Sequence, residues 1–158
     1  MRRFPVLFLF IFIVNVAFSQ GAYRSFSPCS FYIELPSSVN AQNLNSYNSD
    51  DYCDYMVKLK DGYKFMEIHS LLKSRFSNTS VLALYNSALR STDLDITYQV
   101  KGADFFVLSG YNSKGNIVYW RRSIGQDYIS DMRIEYSKGR RASIDPIITR
   151  MSKSFYSY

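Results

Sequence analysis

Histidine occurs once in this 158-residue sequence, tryptophan once and cysteine twice, and each shortage closes off a class of chemistry. A lone imidazole leaves any histidine-based metal or acid/base site incomplete, and no HExxH is present. The GxSxG nucleophile elbow and the phosphate-cradling glycine loop are also missing. Cys29 and Cys53 fit neither a CxxC redox pair nor zinc-ligand spacing. After the N-terminal segment, no apolar run approaches the roughly 20 residues that cross a bilayer, so the remainder is expected to be soluble.

The N-terminus itself is distinctive. Arg2 and Arg3 precede an almost unbroken apolar stretch from Phe4 to Val14, and Ala17-Phe18-Ser19 places small residues at the −3 and −1 positions. This is the layout of a secretory signal peptide over residues 1–19, cut after Ser19. An uncleaved anchor is the competing reading, weakened by the polar break at Asn15. Export places the chain in the periplasm or outside the cell. The remaining 139 residues are the size of one domain with one core, and 14 tyrosines and 12 phenylalanines offer ample material for packing it.

Without the leader, 17 basic residues face 13 acidic ones, a net +4. The excess lies in residues 101–158, with 10 basic against 5 acidic side chains. Lys138, Arg140 and Arg141 form its densest run. That run reads as a solvated turn between a strand and a helix, with peripheral contact to anionic lipid as the alternative. In an oxidising compartment Cys29 and Cys53 are expected to pair. The bond would close a loop of about 25 residues, worth roughly 3 kcal/mol on a chain-entropy account. Two buried thiols are the alternative.

Hydrophobic periodicity gives the architecture. Phe31, Ile33 and Leu35 alternate as a strand ended by Pro36, and residues 37–50 read as a long Ser/Asn-rich loop. Tyr55, Val57 and Leu59 mark a second strand, and Asp61-Gly62 turns it into a third from Tyr63 to about Ser70. Ser77–Ser80 offers N-caps for a helix carrying Val81, Leu84, Tyr85 and Ala88 on one face. Period two then returns around Ile96–Val100, Phe105–Tyr111, Ile117–Ile124 and Tyr128–Tyr136. Asp145 is placed as the cap of a last helix with Pro146 at its first position. The order βββ-α-ββββ-α predicts an α+β fold: an antiparallel sheet of about six to seven strands with two packed helices.

The succession FFVLSGY (105–111), IVYWRR (117–122), YISDMRIEYSK (128–138) and IDPIITRMSKSF (144–155) resembles the C-terminal half of small exported bacterial domains with the PsbP/DcrB-like fold. The likeness covers roughly residues 63–155 and includes the helix before DITYQV (95–100). Ser137 stands where the pattern has proline after Tyr136, and the cysteine pair is not a general feature of the group. The resemblance implies an envelope location and an accessory or assembly role in place of an enzymatic one.

Candidate sites follow from the remaining residues. Glu67 and His69 share a strand face and form the best, though incomplete, start of a metal or small-molecule site, or of a weak hydrolase. Asp50, Asp51 and Asp54 cluster as an acidic loop without the spacing of a calcium site. Asn78-Thr79-Ser80 is a glycosylation sequon, relevant only in a eukaryotic source. Trp120, Arg121 and Arg122 combine aromatic and cationic groups, but strand alternation and export argue against nucleic acid. Arg121, Asp131, Arg133 and Glu135, joined by Trp120 if exposed, are the expected outward surface for a protein partner. No cofactor is implied.

Overall fold

The computed structural model describes residues 22–28, 30–43, 52–58 and 63–158. The leader with its cut after Ser19, Cys29, Asp50, Asp51 and the Asp61-Gly62 turn lie outside them, and the Cys29–Cys53 pairing therefore does too. The strands are β1 (Tyr23–Phe26), β2 (Phe31–Pro36), β3 (Asn40–Asn43), β4 (Tyr52–Lys58), β5 (Tyr63–Leu72), β6 (Asp95–Lys101), β7 (Phe105–Tyr111), β8 (Ile117–Ile124), β9 (Tyr128–Tyr136) and β10 (Tyr156–Ser157). The helices are α1 (Val81–Ser91) and α2 (Arg141–Ser154). A seven-stranded antiparallel sheet runs β3-β4-β5-β9-β8-β7-β6, and a three-stranded sheet runs β1-β2-β10.

The α+β architecture and the two helices match the sequence expectation, with three differences. The first is that the strand at Phe31 belongs to the small sheet, paired with β1 on one side and β10 on the other. The second is that β3 occupies part of the stretch read as loop and pairs Asn40–Asn43 with Tyr55–Lys58; backbone pairing with one neighbour makes an end strand without an apolar period. The third is the start of α2, at Arg141 and not at Asp145. The Asp145 carboxylate is engaged elsewhere, accepting from the Tyr136 hydroxyl (2.7 Å) and from Arg141 Nε (3.1 Å). Pro146 consequently sits inside the helix, where its missing N–H removes one early backbone bond on an exposed face.

Local signals explain α1 well. Ser80 caps it by accepting from the Ala83 N–H at 3.2 Å, and Leu84 and Ala88, one turn apart, are its buried residues. The sequon Asn78-Thr79-Ser80 is thus used for helix initiation, with Asn78 Oδ1 also accepting from the Ser80 N–H.

Two apolar clusters lie on opposite faces of the large sheet. On one face Met66, Ile68, Met132 and Ile134 meet Phe31, Ile33 and Leu35 of the small sheet and Ile144, Ile148 and Met151 of α2. On the other, Leu84 and Ala88 of α1 pack on Phe106, Leu108 and Ile129. Each such fully buried large side chain contributes about 1.5–3 kcal/mol. Close approach fixes two glycines: a Cβ on Gly110 would stand 2.0 Å from the Asp95 carbonyl on β6, and one on Gly125 would stand 2.1 Å from the Tyr158 carbonyl. Gly110 therefore sits at a strand position where the neighbouring backbone packs closely.

A chain of buried hydroxyls joins the two sheets. Ser30 Oγ lies 2.5 Å from Ser70 Oγ, which lies 2.8 Å from Ser130 Oγ, which in turn lies 2.8 Å from Ser157 Oγ. The Ser157 N–H donates to Ser123 Oγ at 3.2 Å. Ser130 is the central link, between β5 and β10. Ser130→Ala is expected to lower unfolding free energy by about 1–2 kcal/mol, because two buried hydroxyls each lose a partner. Urea denaturation checks this, and a change no larger than that of an exposed Ser113→Ala control would show that the chain of hydroxyls adds little.

Candidate functional site

Alternation along β8 and β9 sorts the candidate residues by face. Trp120 lies opposite Arg133, Arg121 opposite Met132 and Arg122 opposite Asp131. Directly opposed residues in antiparallel strands share a face. Trp120, Arg122, Asp131, Arg133 and Glu135 therefore sit on the α1 side, and Arg121 sits on the α2 side. The expected grouping of Arg121 with Asp131, Arg133 and Glu135 is corrected by this register. Period two already joins Trp120 to Arg122, and pairing Trp120 with its immediate neighbour broke that rule.

On the α1 side Arg122 and Asp131 are spent on one another. Asp131 takes Arg122 Nε at 2.8 Å and Nη2 at 2.6 Å, and its Oδ1 also accepts the Trp120 indole N–H at 2.6 Å. The two ion-pair side chains are only 16% and 19% exposed. The Trp120 ring packs edge-on to Phe106 with centroids 5.9 Å apart, so this residue is a packing element with a polar handle. Glu135 accepts from Asn116 Nδ2 at 2.6 Å. On β5, His69 Nε2 lies 3.3 Å from Glu67 Oε2, and these residues are registered opposite Asp131 and Arg133. Among the described residues, no three His, Cys, Asp or Glu side chains gather as a metal set.

The α2 side is different. Between α2 and strands β6 to β9 lies a groove of about 490 Å3. Val100, Val107, Ile117 and Ile148 supply apolar lining, while Ser109, small beside Tyr119, keeps the floor low. Two tyrosines pin the helix above it: the Tyr119 hydroxyl is 2.6 Å from Ser152 Oγ, and Tyr136 donates to Asp145. Burial raises the pKa of both phenols, so both stay protonated as hydrogen-bonding hydroxyls.

Arg121 reaches into this groove. Its guanidinium lies over the Phe105 ring, 3.9 Å from the centroid. Nη2 makes one long contact, 3.4 Å, to the Phe155 carbonyl, and Nε is buried with no partner among the described residues. Burial lowers the pKa of this group from the ordinary arginine value, and a guanidinium in a protein stays charged. Arg141 and Lys153 stand at the rim. Of the basic run, Lys138 bends over the Tyr111 ring at 5.5 Å, and Lys138–Arg140 forms a short 3-10 turn between β9 and α2.

No protein-family model and no curated protein matches the sequence. Among solved structures, cyanobacterial PsbP (CyanoP) from Synechocystis sp. PCC 6803, determined in solution, is similar with a TM-score of 0.60. The match covers 90% of this chain and 96% of that one at 9% sequence identity. The fold is PsbP-like. At this identity the PsbP likeness concerns backbone architecture, so roles for individual residues rest on their own geometry.

On the PsbP-like sheet the Arg122–Asp131–Trp120 cluster is structural. Asp131→Ala is expected to destabilise the protein by about 2–3 kcal/mol, since it leaves a half-buried guanidinium and an indole N–H without their acceptor. Urea denaturation followed by the fluorescence of Trp120, the sole tryptophan, measures it. A loss below about 0.5 kcal/mol, the range of an ordinary surface substitution, would show that water replaces the carboxylate without penalty.

Proposed function

We propose that this chain is an exported, non-enzymatic accessory module that binds a protein partner along the outer edge of β6. In this reading the leader is removed after Ser19, and Cys29 and Cys53 form a disulfide. Supporting the pairing, Cys53 is registered opposite Ser70, whose hydroxyl meets that of Ser30, next to Cys29.

The observation that carries the proposal is the state of β6. It ends the seven-stranded sheet, and among the described residues no strand pairs with its outer edge. Six of its seven residues are exposed, including Tyr98 at 55% and Val100 at 38%. The Gly102 N–H donates to the Phe105 carbonyl, and Val100 and Tyr98 continue that register against Val107 and Ser109. By antiparallel alternation, Gln99 and Lys101 then turn their backbone N–H and C=O groups outward. Such an edge is a template for one more strand. An added strand gains main-chain hydrogen bonds there and apolar contact with Tyr98 and Val100. The partner surface expected on the opposite face, at Asp131, Arg133 and Glu135, competes less well because two of its three charged groups are engaged, Asp131 by Arg122 and Trp120 and Glu135 by Asn116.

A photo-crosslinking residue at Gln99 tests this in cells of the source organism, with Asn86 on the exposed side of α1 as control. The Gln99 position is expected to give a discrete protein adduct that the Asn86 position lacks. The double substitution Tyr98→Lys, Val100→Lys is expected to reduce that adduct at least tenfold while the chain stays folded. Equal adducts from both positions, or an adduct indifferent to the double substitution, would remove β6 as the docking edge.

A further inference from the structure

We infer that the groove between α2 and strands β6 to β9 binds a small monocarboxylate carrying an apolar chain or ring, with its carboxylate on Arg121. This inference rests on the interior of the groove and does not require a strand on β6, although Val100 belongs to both features.

The size is right for a small molecule: about 490 Å3, within the usual range of roughly 300–1,000 Å3 for ligand pockets. The chemistry of the lining narrows the class. Val100, Val107, Ile117 and Ile148 offer an apolar body no hydrogen bonds. Four hydroxyls of the lining are committed: Tyr119 to Ser152, Tyr136 to the Asp145 carboxylate, Ser109 to the Val118 carbonyl and Thr149 to the Asp145 carbonyl. Inside the groove the charged donor is Arg121, with Arg141 and Lys153 at the rim. A guanidinium has five N–H donors, and among the described residues Arg121 uses one, in the long contact to Phe155. Stacking on Phe105 holds its plane still, so a planar acceptor of matching fork geometry meets a preorganised partner.

Charge points the same way. Arg121, Arg141 and Lys153 line the groove against one carboxylate, Asp145, which Arg141 and Tyr136 already engage. An entering anion thus meets a net positive site. A carboxylate suits it better than a phosphate, because two oxygens satisfy one guanidinium fork and a third would face apolar walls. Burial has already removed part of the water around Arg121, so a carboxylate there replaces hydration the cation lacks.

Calorimetry with the mature chain tests the inference, using sodium decanoate and 4-phenylbutyrate as probes. Octanoate against 1-octanol isolates the carboxylate, and inorganic phosphate serves as an anion without an apolar body. The carboxylates are expected to bind saturably, one per chain, with dissociation constants below about 1 mM. Octanol and phosphate are expected to bind at least tenfold more weakly than octanoate. Arg121→Met should weaken decanoate at least tenfold, and Arg121→Lys should restore part of the affinity. Because Arg121→Met removes a packed side chain, the wild-type chain supplies a second readout: the Arg121 Nε–H resonance in a 15N-resolved spectrum should shift during the decanoate titration. The inference fails if decanoate shows no saturable binding, if octanol equals octanoate, if Arg121→Met binds as tightly as the parent, or if the Arg121 resonance stays fixed while others move.

Discussion

A seven-stranded sheet has two faces to cover, and the described part of this chain has only two helices and a three-stranded sheet to cover them with. That shortage shapes the molecule. The small sheet and α2 together close one face over β5 and β9, where Met66, Ile68, Met132 and Ile134 reach zero exposure. α1 closes the other face over β7 and β8 through Leu84 and Ala88. Neither cover extends across all seven strands. Where α1 stops, the sheet is polar and its charges neutralise one another around Asp131. Where α2 stops, the sheet is apolar and a groove remains.

The covers are held at a set height by hydroxyl groups as much as by apolar contact. Ser30, Ser70, Ser130 and Ser157 connect both sheets through a buried layer, and this works because each residue is small enough for the strands to approach closely. Tyr119 and Tyr136 act as longer spacers under α2, meeting Ser152 and Asp145. Short links draw the small sheet down, and long ones hold the helix off. The groove is the difference between these two heights. It is a consequence of where serine and tyrosine alternate on adjoining strands, and it needs no special backbone geometry.

Much of this was legible in the sequence, and the losses have physical causes. The helix at Val81–Ser91 and the meander β6 to β9 announce themselves through strong periodicity, with Ser80 as punctuation before the helix. The strands β1, β3 and β10 do not, because segments of four or two residues are too short to show a period. Their pairing is long-range: Tyr156 finds Tyr32 across most of the chain. The start of α2 was misplaced because Asp-Pro imitates a cap and first turn, while the actual use of Asp145 depends on Tyr136, nine residues away. The groove was invisible for a similar reason. Its lining runs from Thr97 to Lys153 over four strands and a helix, and no short motif encodes it.

Arg121 is where these constraints meet. An arginine in a half-buried strand position is costly unless its donors find acceptors, and this one is held chiefly by stacking on Phe105. Its neighbour Arg122 shows the alternative open to the same stretch of β8, a bidentate carboxylate on the facing strand. The partner opposite Arg121 is Met132, which offers none. The two uncovered features also adjoin: Tyr98 and Val100 both flank the groove and line the outer edge of β6. A strand laid along that edge would add to the groove wall, and a molecule filling the groove would steady the two side chains such a strand must meet. Any effect of one proposed occupant on the affinity of the other would be reciprocal, as thermodynamic linkage requires.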